Sequence, residues 1–222
     1  MYNFACVCYG NKYDVEYVQK LYNMVTRNTT HLINFYVFTD HVKMQKMVEG
    51  GRLYVKQFPE HDLDGWWNKM QLFNECEEET LYMDLDVVIT GNIDCFFTHE
   101  PEAEFVGMND FNPATEQFNS SIMRWKRTKG EHIWNEFNRD KAFYYRMFGD
   151  QVATSHIVRK ETTTKSFPDA WTQSYKWFDR KGERYAKAKQ TYSHNGESIV
   201  AVFHGHPNPH ESTQEWVKNA WK

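Results

Sequence analysis

The stretch Leu81 to Ile89, LYMDLDVVI, sets the strongest condition on what this chain can fold into, because two aspartates interrupt its most apolar run. Leu81, Tyr82, Met83, Leu85, Val87, Val88 and Ile89 are residues of a buried strand. Side chains two apart on a strand share a face, so Asp84 and Asp86 would project together, with Met83, Leu85 and Val87 facing the other way. Two ionised carboxylates beside an apolar sheet are costly unless a cation or hydrogen-bond donors compensate them. A hard divalent ion, Mn²⁺ or Mg²⁺, takes both as oxygen ligands and keeps positions open for phosphates. The alternative is a strand-end pair capping the TGNID turn that follows.

Around this run, short β-rich segments alternate with helical patterns. That order predicts an α/β fold with a mostly parallel central sheet flanked by helices, and ligands at the carboxyl ends of its strands. FACVCY (4–9), INFYVFT (33–39) and RLYVKQF (52–58) read as strands, and VEYVQKLYNMVT (15–26) as a helix with Tyr17, Val18, Leu21, Tyr22 and Val25 apolar. Asp64 is placed to cap a helix from about Gly65 to Cys76. AEFVGM (103–108) and NSSIMRW (119–125) are further strands. A helix from Glu131 to Phe148 would bury Ile133, Trp134, Phe137, Tyr144 and Phe148, with Gly149 as its stop. RKETTTKSFPD (159–169), polar and threonine-rich, reads as a mobile loop, and ESIVAVFHG (197–205) as a late strand. No boundary or repeat divides the chain, so residues 1–222 read as a single domain, with 206–222 as a C-terminal tail carrying a helix from Trp216 to Trp221.

A length of 222 residues suffices for one α/β domain with a sizeable core. The formal charge of −4 offers no general basic face, so nucleic acid is not an expected partner. The basic clusters RWKRTKG (124–130) and DRKGERYAKAK (179–189) read as solvated faces. Cys6, Cys8, Cys76 and Cys95 lack metal-site spacing and read as small apolar residues in a reducing setting. There is no apolar run long enough for a membrane span and no leader pattern, which predicts a cytoplasmic protein. On a helical wheel Met70, Leu72, Phe73 and Cys76 share an arc with Lys69 inside it. A lysine there either snorkels to the surface or meets a carboxylate or an anionic ligand.

Taken in order, these segments resemble the nucleotide-sugar-dependent glycosyltransferases of the GT-A fold, particularly the glycogenin and galactosyltransferase-like group called family eight. LYMDLDVVITGNID is similar to that group's Asp-Xaa-Asp strand and turn, and CYGNKY (8–13) to a first-strand loop whose tyrosine stacks on uracil. WNKMQLF (67–73) resembles a helix with a sugar-contacting lysine, FNSSIM (118–123) a sugar-facing strand, GDQ (149–151) an Asp-Gln motif, and VFHGHPNPH (202–210) the terminal motif. The resemblance runs over roughly residues 4 to 210.

What the resemblance implies is specific. The implied fold is GT-A (Rossmann-like), the implied donor a nucleoside-diphosphate sugar of the UDP-sugar class, and the implied cofactor Mn²⁺ or Mg²⁺ bridging the pyrophosphate. Asp84, Asp86 and His204 are the implied metal ligands. The group's histidine aligns with Val202, and His204 shares its strand face. Asn11 and Tyr13 are implied at the nucleobase, and Tyr9 among the nucleotide-binding residues. Lys69, Leu85 with its flanking aspartates, Asp110, Asn119, Ser120, Gly205 and Asn208 are implied along the donor, and Asp150 and Gln151 at the reacting anomeric carbon, with retention of configuration. Ser121 replaces a glycine of the group, and Asn208 and His210 replace its terminal lysine and tryptophan, leaving His206 or His210 to stand in as phosphate partners.

The residues by themselves leave alternatives. Asp150 and Gln151 also suit the first turn of a helix, Asp110 a strand-end turn, and Tyr13 simple packing. The acceptor, whether saccharide, protein or lipid-linked, is unspecified; Glu161 to Lys165 and Trp171, Tyr175 and Trp177 are the regions to examine for it. A metal-dependent nucleotidyltransferase or phosphohydrolase would also use paired carboxylates, but no GxxxxGK[ST] loop occurs. A non-catalytic nucleotide-sugar or carbohydrate-binding protein is the third class.

Overall fold

The computed structural model describes residues 1–60, 62–112, 114–177 and 192–222. Its first third follows the sequence periodicity closely: β1 (Tyr2–Cys8), α1 (Val15–Arg27), β2 (Ile33–Thr39) and β3 (Leu53–Gln57). The Asp14 carboxylate accepts from the Glu16 and Tyr17 amides and starts α1, whose Tyr17, Val18, Leu21, Met24 and Val25 are buried.

The next helix begins as a 3₁₀ segment, Gly65–Gln71, and becomes α-helical only at α2 (Leu72–Glu75). Asp64 precedes it without a side-chain cap bond. Three residues per turn instead of 3.6 rotates the face, so Trp67, Lys69 and Met70 are buried while Trp66 is 63% exposed.

Further elements are β4 (Thr80–Met83), β5 (Val87–Ile89), α3 (Asp94–Thr98), β6 (Phe105–Asn109), β7 (Phe118–Trp125), α4 (Arg127–Arg139), α5 (Lys141–Tyr144), α6 (Asp150–Val158), β8 (Thr164–Ser166), β9 (Thr172–Ser174), β10 (Val200–Val202) and α7 (Glu215–Ala220). The main sheet has the order β3-β2-β1-β4-β7-β6-β8. Its pairs are parallel except where β7 runs antiparallel to β4 and β6. A smaller sheet, β5-β10-β9, pairs β10 antiparallel to β5 and parallel to β9. Alternation along β1 feeds two cores: Phe4 and Cys6 pack under α1, and Ala5 packs on the opposite face with Trp67, Phe73, Trp134 and Phe137.

Four expectations are corrected. The apolar run 81–89 is two strands in two sheets, not one, because the chain turns at Asp84 to Asp86 and leaves the main sheet. The helix expected at 131–148 starts at Arg127 and breaks at Asp140, whose carboxylate caps α5 through the Phe143 amide at 2.9 Å; Phe148 is 99% exposed. The segment 159–169 contains β8, a polar edge strand parallel to β6, and Glu161 pairs with Lys129 and, at 3.2 Å, with His132. RWKRTKG is not a solvated face either. Arg124 is buried, donating to the carbonyls of Phe96, His99 and Glu100 and pairing with Glu79 at 3.1 Å. The cluster 179–189 lies outside the described residues. All four cysteines are free, three of them buried. No helix among the described residues is long and apolar enough to cross a membrane.

Candidate active site

The two aspartates stand where the chain changes sheets. The Asp84 amide still donates to the Ser121 carbonyl of β7 at 2.9 Å, whereas the Asp86 carbonyl accepts from Phe203, just beyond β10, at 2.9 Å. Leu85 between them is buried and anchors the turn. The site therefore lies at the carboxyl end of β4, where the neighbouring strand switches from the parallel β1 to the antiparallel β7. A crevice at such a switch is where open α/β sheets bind ligands.

Around Asp84 the electrostatics are closed. The Lys69 ammonium lies 2.9 Å from Asp84 Oδ1 and 3.0 Å from Asp150 Oδ2, and it donates to the Ser120 carbonyl and hydroxyl at 3.2 Å each. Four acceptors thus surround the three N–H groups of one ammonium, and Asp150 Oδ2 is held by charge without a well-formed hydrogen bond. The Tyr82 hydroxyl adds a bond of 2.5 Å to Asp84 Oδ1. Burial alone would raise the Asp84 carboxyl, but Lys69 and the Tyr82 bond hold it below the ordinary value. Burial likewise opposes the Lys69 charge, and Asp150 and Asp84 outweigh it, raising the ammonium above its ordinary value. Lys69 thus meets carboxylates instead of snorkelling.

Asp86 is the opposite case. Tyr13 donates its hydroxyl to Asp86 Oδ2 at 2.7 Å, and Lys12 reaches the same oxygen only at 4.0 Å. Burial, and then repulsion from Asp84, push the Asp86 carboxyl up to about 6. His204 stands nearby with its ring against Phe111 and Trp177, at 5.7 and 4.2 Å between centroids. Its Nε2 is 2.6 Å from Ser174 Oγ, which accepts from the Lys176 and Trp177 amides and so gives its own proton to the imidazole. Burial, then the Lys176 charge, lower His204 to about 4, leaving it neutral.

One cavity of about 710 Å³ gathers Tyr9, Tyr13, Lys69, Asp84, Leu85, Asp86, Asn119, Ser120, Asp150, Gln151 and His204. Asp150 opens α6 just after Gly149, whose φ of +105° only glycine accepts readily and whose missing side chain would lie 3.2 Å from the Trp66 indole nitrogen. Gln151 donates to Asp110 Oδ2 at 3.1 Å, so Asp110 orients the amide from behind and does not line the cavity. Asn11 is exposed and outside the lining, and Gly205 and Asn208 lie behind His204 and Tyr13. Periodicity missed Tyr82, which reads as core yet bonds Asp84, and Lys12, Trp66 and Phe148, which line the mouth. The adjacency of Lys12 to Tyr13 was the available signal.

The donor set suits a hard cation in part. Asp86 is a buried carboxylate short of positive charge, and Asp84 adds a second oxygen donor. Among the described residues no three His, Cys, Asp or Glu side chains form a ready-made metal cluster, and His204 Nε2 faces Ser174. A cation held here would draw its remaining ligands from phosphate and water.

No family model and no characterised protein sequence matches the chain. Solved structures do. The chain covers 98% of itself and 93% of an active-site mutant of LgtC with a TM-score of 0.68 and 12% identity. It matches galactosyltransferase LgtC in complex with donor and acceptor sugar analogs over 99% of its own length and 91% of the other, with a TM-score of 0.65 and 12% identity. The glycosyltransferase GlyE of Streptococcus pneumoniae TIGR4 gives a TM-score of 0.70 and 13% identity over the whole chain, which spans 60% of GlyE. At such identities the likeness is one of architecture, and in architecture the chain is a GT-A-like glycosyltransferase fold.

Proposed function

We propose that this protein is a glycosyltransferase that moves a sugar from a nucleoside-diphosphate sugar, of the UDP class, to an acceptor. The observation that carries the reading is the pairing of the GT-A-like fold with a cavity at its strand switch in which Asp84, Asp86, Lys69 and Asp150 converge. Asp84 and Asp86 would hold Mn²⁺ or Mg²⁺, which supplies Lewis-acid neutralisation of the departing diphosphate.

The chain's own groups have distinct tasks. Tyr9 and Tyr13 offer rings to the cavity, and the Tyr13 hydroxyl orients the Asp86 carboxylate. Lys69 is a positioning residue: it holds Asp84 and Asp150 together, so that two carboxylates share one cavity without repelling each other apart. Asp110 draws the NH₂ of Gln151 toward itself, which leaves the amide oxygen as a partially negative group for the cavity. In this reading Asp150 and the Gln151 oxygen stabilise positive charge developing at the anomeric carbon, the electrostatic contribution that catalysis of glycosyl transfer needs most. Retention of configuration follows from the resemblance and belongs to the same proposal.

The test is incubation with a panel of nucleotide sugars and Mn²⁺, following nucleoside-diphosphate release with and without acceptors. Slow metal-dependent hydrolysis of a UDP-sugar is expected, reduced on the order of a thousandfold in Asp86→Asn. Undiminished turnover in that variant, or turnover indifferent to chelation, would sink the assignment.

A further inference from the structure

The chain's terminal motif lacks the lysine that the resemblance places there, and the side chains expected to stand in are otherwise engaged. Asn208 forms a capping box with Glu211. His206 pairs with Glu211 at 2.9 Å, and His210 bonds the Tyr17 hydroxyl. Two lysines from elsewhere in the chain approach this end of the cavity, Lys12 in its lining and Lys176 directly behind His204. Lys12, in the turn after β1, lines the cavity with its ammonium 4.5 Å above the Tyr13 ring and 4.0 Å from Asp86. Lys176, beyond β9, donates to the carbonyl of His204, another cavity residue. Its ammonium lies 3.3 Å from where a Cβ on Gly205 would stand, and Gly205 has φ +78°, so the lysine crosses the strand end where a side chain is absent.

The charge on these two lysines is not consumed by their present partners. Lys12 is 59% exposed and its carboxylate contact is at the outer limit of an ion pair. The hydrogen bond of Lys176 goes to a neutral carbonyl, which satisfies geometry without cancelling charge. Lys176 is also within electrostatic reach of Asp86, Lys12 and, more weakly, Glu211, which already pairs with His206. Lys69, by contrast, is committed to Asp84 and Asp150. The cavity lining carries three carboxylates and two ammoniums, and Lys176 behind His204 brings the sum to neutral, so a nucleotide sugar whose diphosphate bears two negative charges would enter together with one divalent cation.

We propose that Lys12 and Lys176 form a diphosphate clamp, drawn from separate parts of the chain, in place of the cation missing from its terminal motif. The inference rests on the nucleotide-sugar reading above and assigns the residues that hold its leaving group.

Calorimetric titration of the full chain with UDP, UMP and inorganic pyrophosphate, each with Mn²⁺, tests it. Lys12→Met and Lys176→Met keep most of the aliphatic stem and remove the charge. Each should weaken UDP and pyrophosphate about tenfold, as loss of one charge-assisted hydrogen bond does, while UMP changes much less. Lys176→Arg, which keeps both the charge and a donor for His204, should bind UDP nearly as the unmodified protein does; a purely structural role is told apart by UMP, whose affinity loss of the lysine would then lower as much as that of UDP. UDP affinity unchanged in the double variant, or equal weakening of UDP and UMP, overturns the clamp. If the unmodified protein binds UDP and the variants bind it equally, the clamp alone fails; if it binds no nucleoside diphosphate among UDP, GDP and ADP, the nucleotide-sugar reading fails and the clamp with it.

Discussion

Asp84 and Asp86 stand two residues apart, yet the halves of the cavity they serve are built on opposite electrostatic principles. The Asp84 side is closed: one buried ammonium bridges two carboxylates, and a tyrosine and a serine complete the network. The Asp86 side is open: a buried carboxylate has one hydroxyl, a distant lysine and a neutral histidine for company. The closed side fixes geometry. The open side keeps unpaid electrostatic strain in reserve for a cation and a charged ligand, which is the usual stability cost of a preorganised site.

The sharpest way to break this comparison is to remove the cation of the closed side. Lys69→Ala leaves Asp84 and Asp150 buried and facing each other, which should cost about 3–5 kcal/mol, roughly 10 °C in thermal midpoint for a domain of this size. A midpoint lowered by only a degree or two would show that the network is not holding the fold.

The open side should respond in the reverse direction. Asp86→Asn removes an under-compensated charge while keeping an oxygen for the Tyr13 bond, so with a chelator present the variant should be more stable by about 2 kcal/mol at neutral pH. The sign follows from linkage. The folded carboxyl is raised to about 6, so the fold bears the penalty fully above that pH, and it fades as pH falls toward 4. The variant's advantage in chemical denaturation should therefore vanish near pH 4. An advantage that persisted there would mean the carboxylate is better solvated than its burial implies.

A smaller effect separates the site from the turn beside it. Asp94, in the TGNID turn, accepts from the Thr29 hydroxyl at 2.5 Å and from the Thr30 amide and hydroxyl at 3.0 and 2.6 Å, tying α3 to the loop before β2. Burial, the largest single effect, opposes the charge, but these bonds together with one from Asn92 outweigh it and hold the carboxyl at about 2. A depressed carboxyl stabilises above its unfolded value and loses that contribution as pH falls toward 2. Asp94→Ala should cost about 1 kcal/mol at pH 7, discounted for partial exposure, with no effect on metal-dependent turnover. Loss of turnover without loss of stability would place Asp94 in the site.

Legibility in the sequence followed the range of the forces involved. β1, α1, β2 and β3 were readable because each buries a periodic face of its own. β8 was not, because a polar edge strand such as TKS carries no alternation and is held by backbone bonds to β6. Phe148 looked like the last core position of a long helix, and the break at Asp140 turned it outward. The candidate site divides in the same way: the paired aspartates and the misplaced lysine on an apolar arc announce themselves, whereas Lys12, Lys176 and Tyr82 are ordinary until the fold brings them together.

By itself, then, the sequence determined that two carboxylates must emerge from an apolar run and that Lys69, on an apolar arc, must either reach the surface or find an anionic partner, since burial makes both demands locally. Tertiary structure alone decided that the run splits between two sheets, that Lys69 neutralises Asp84 and Asp150 while Asp86 is left short of charge, and that His204 turns to Ser174. Those outcomes depend on contacts between segments up to about half the chain apart, and hydrophobic periodicity carries no information about which distant charges will meet.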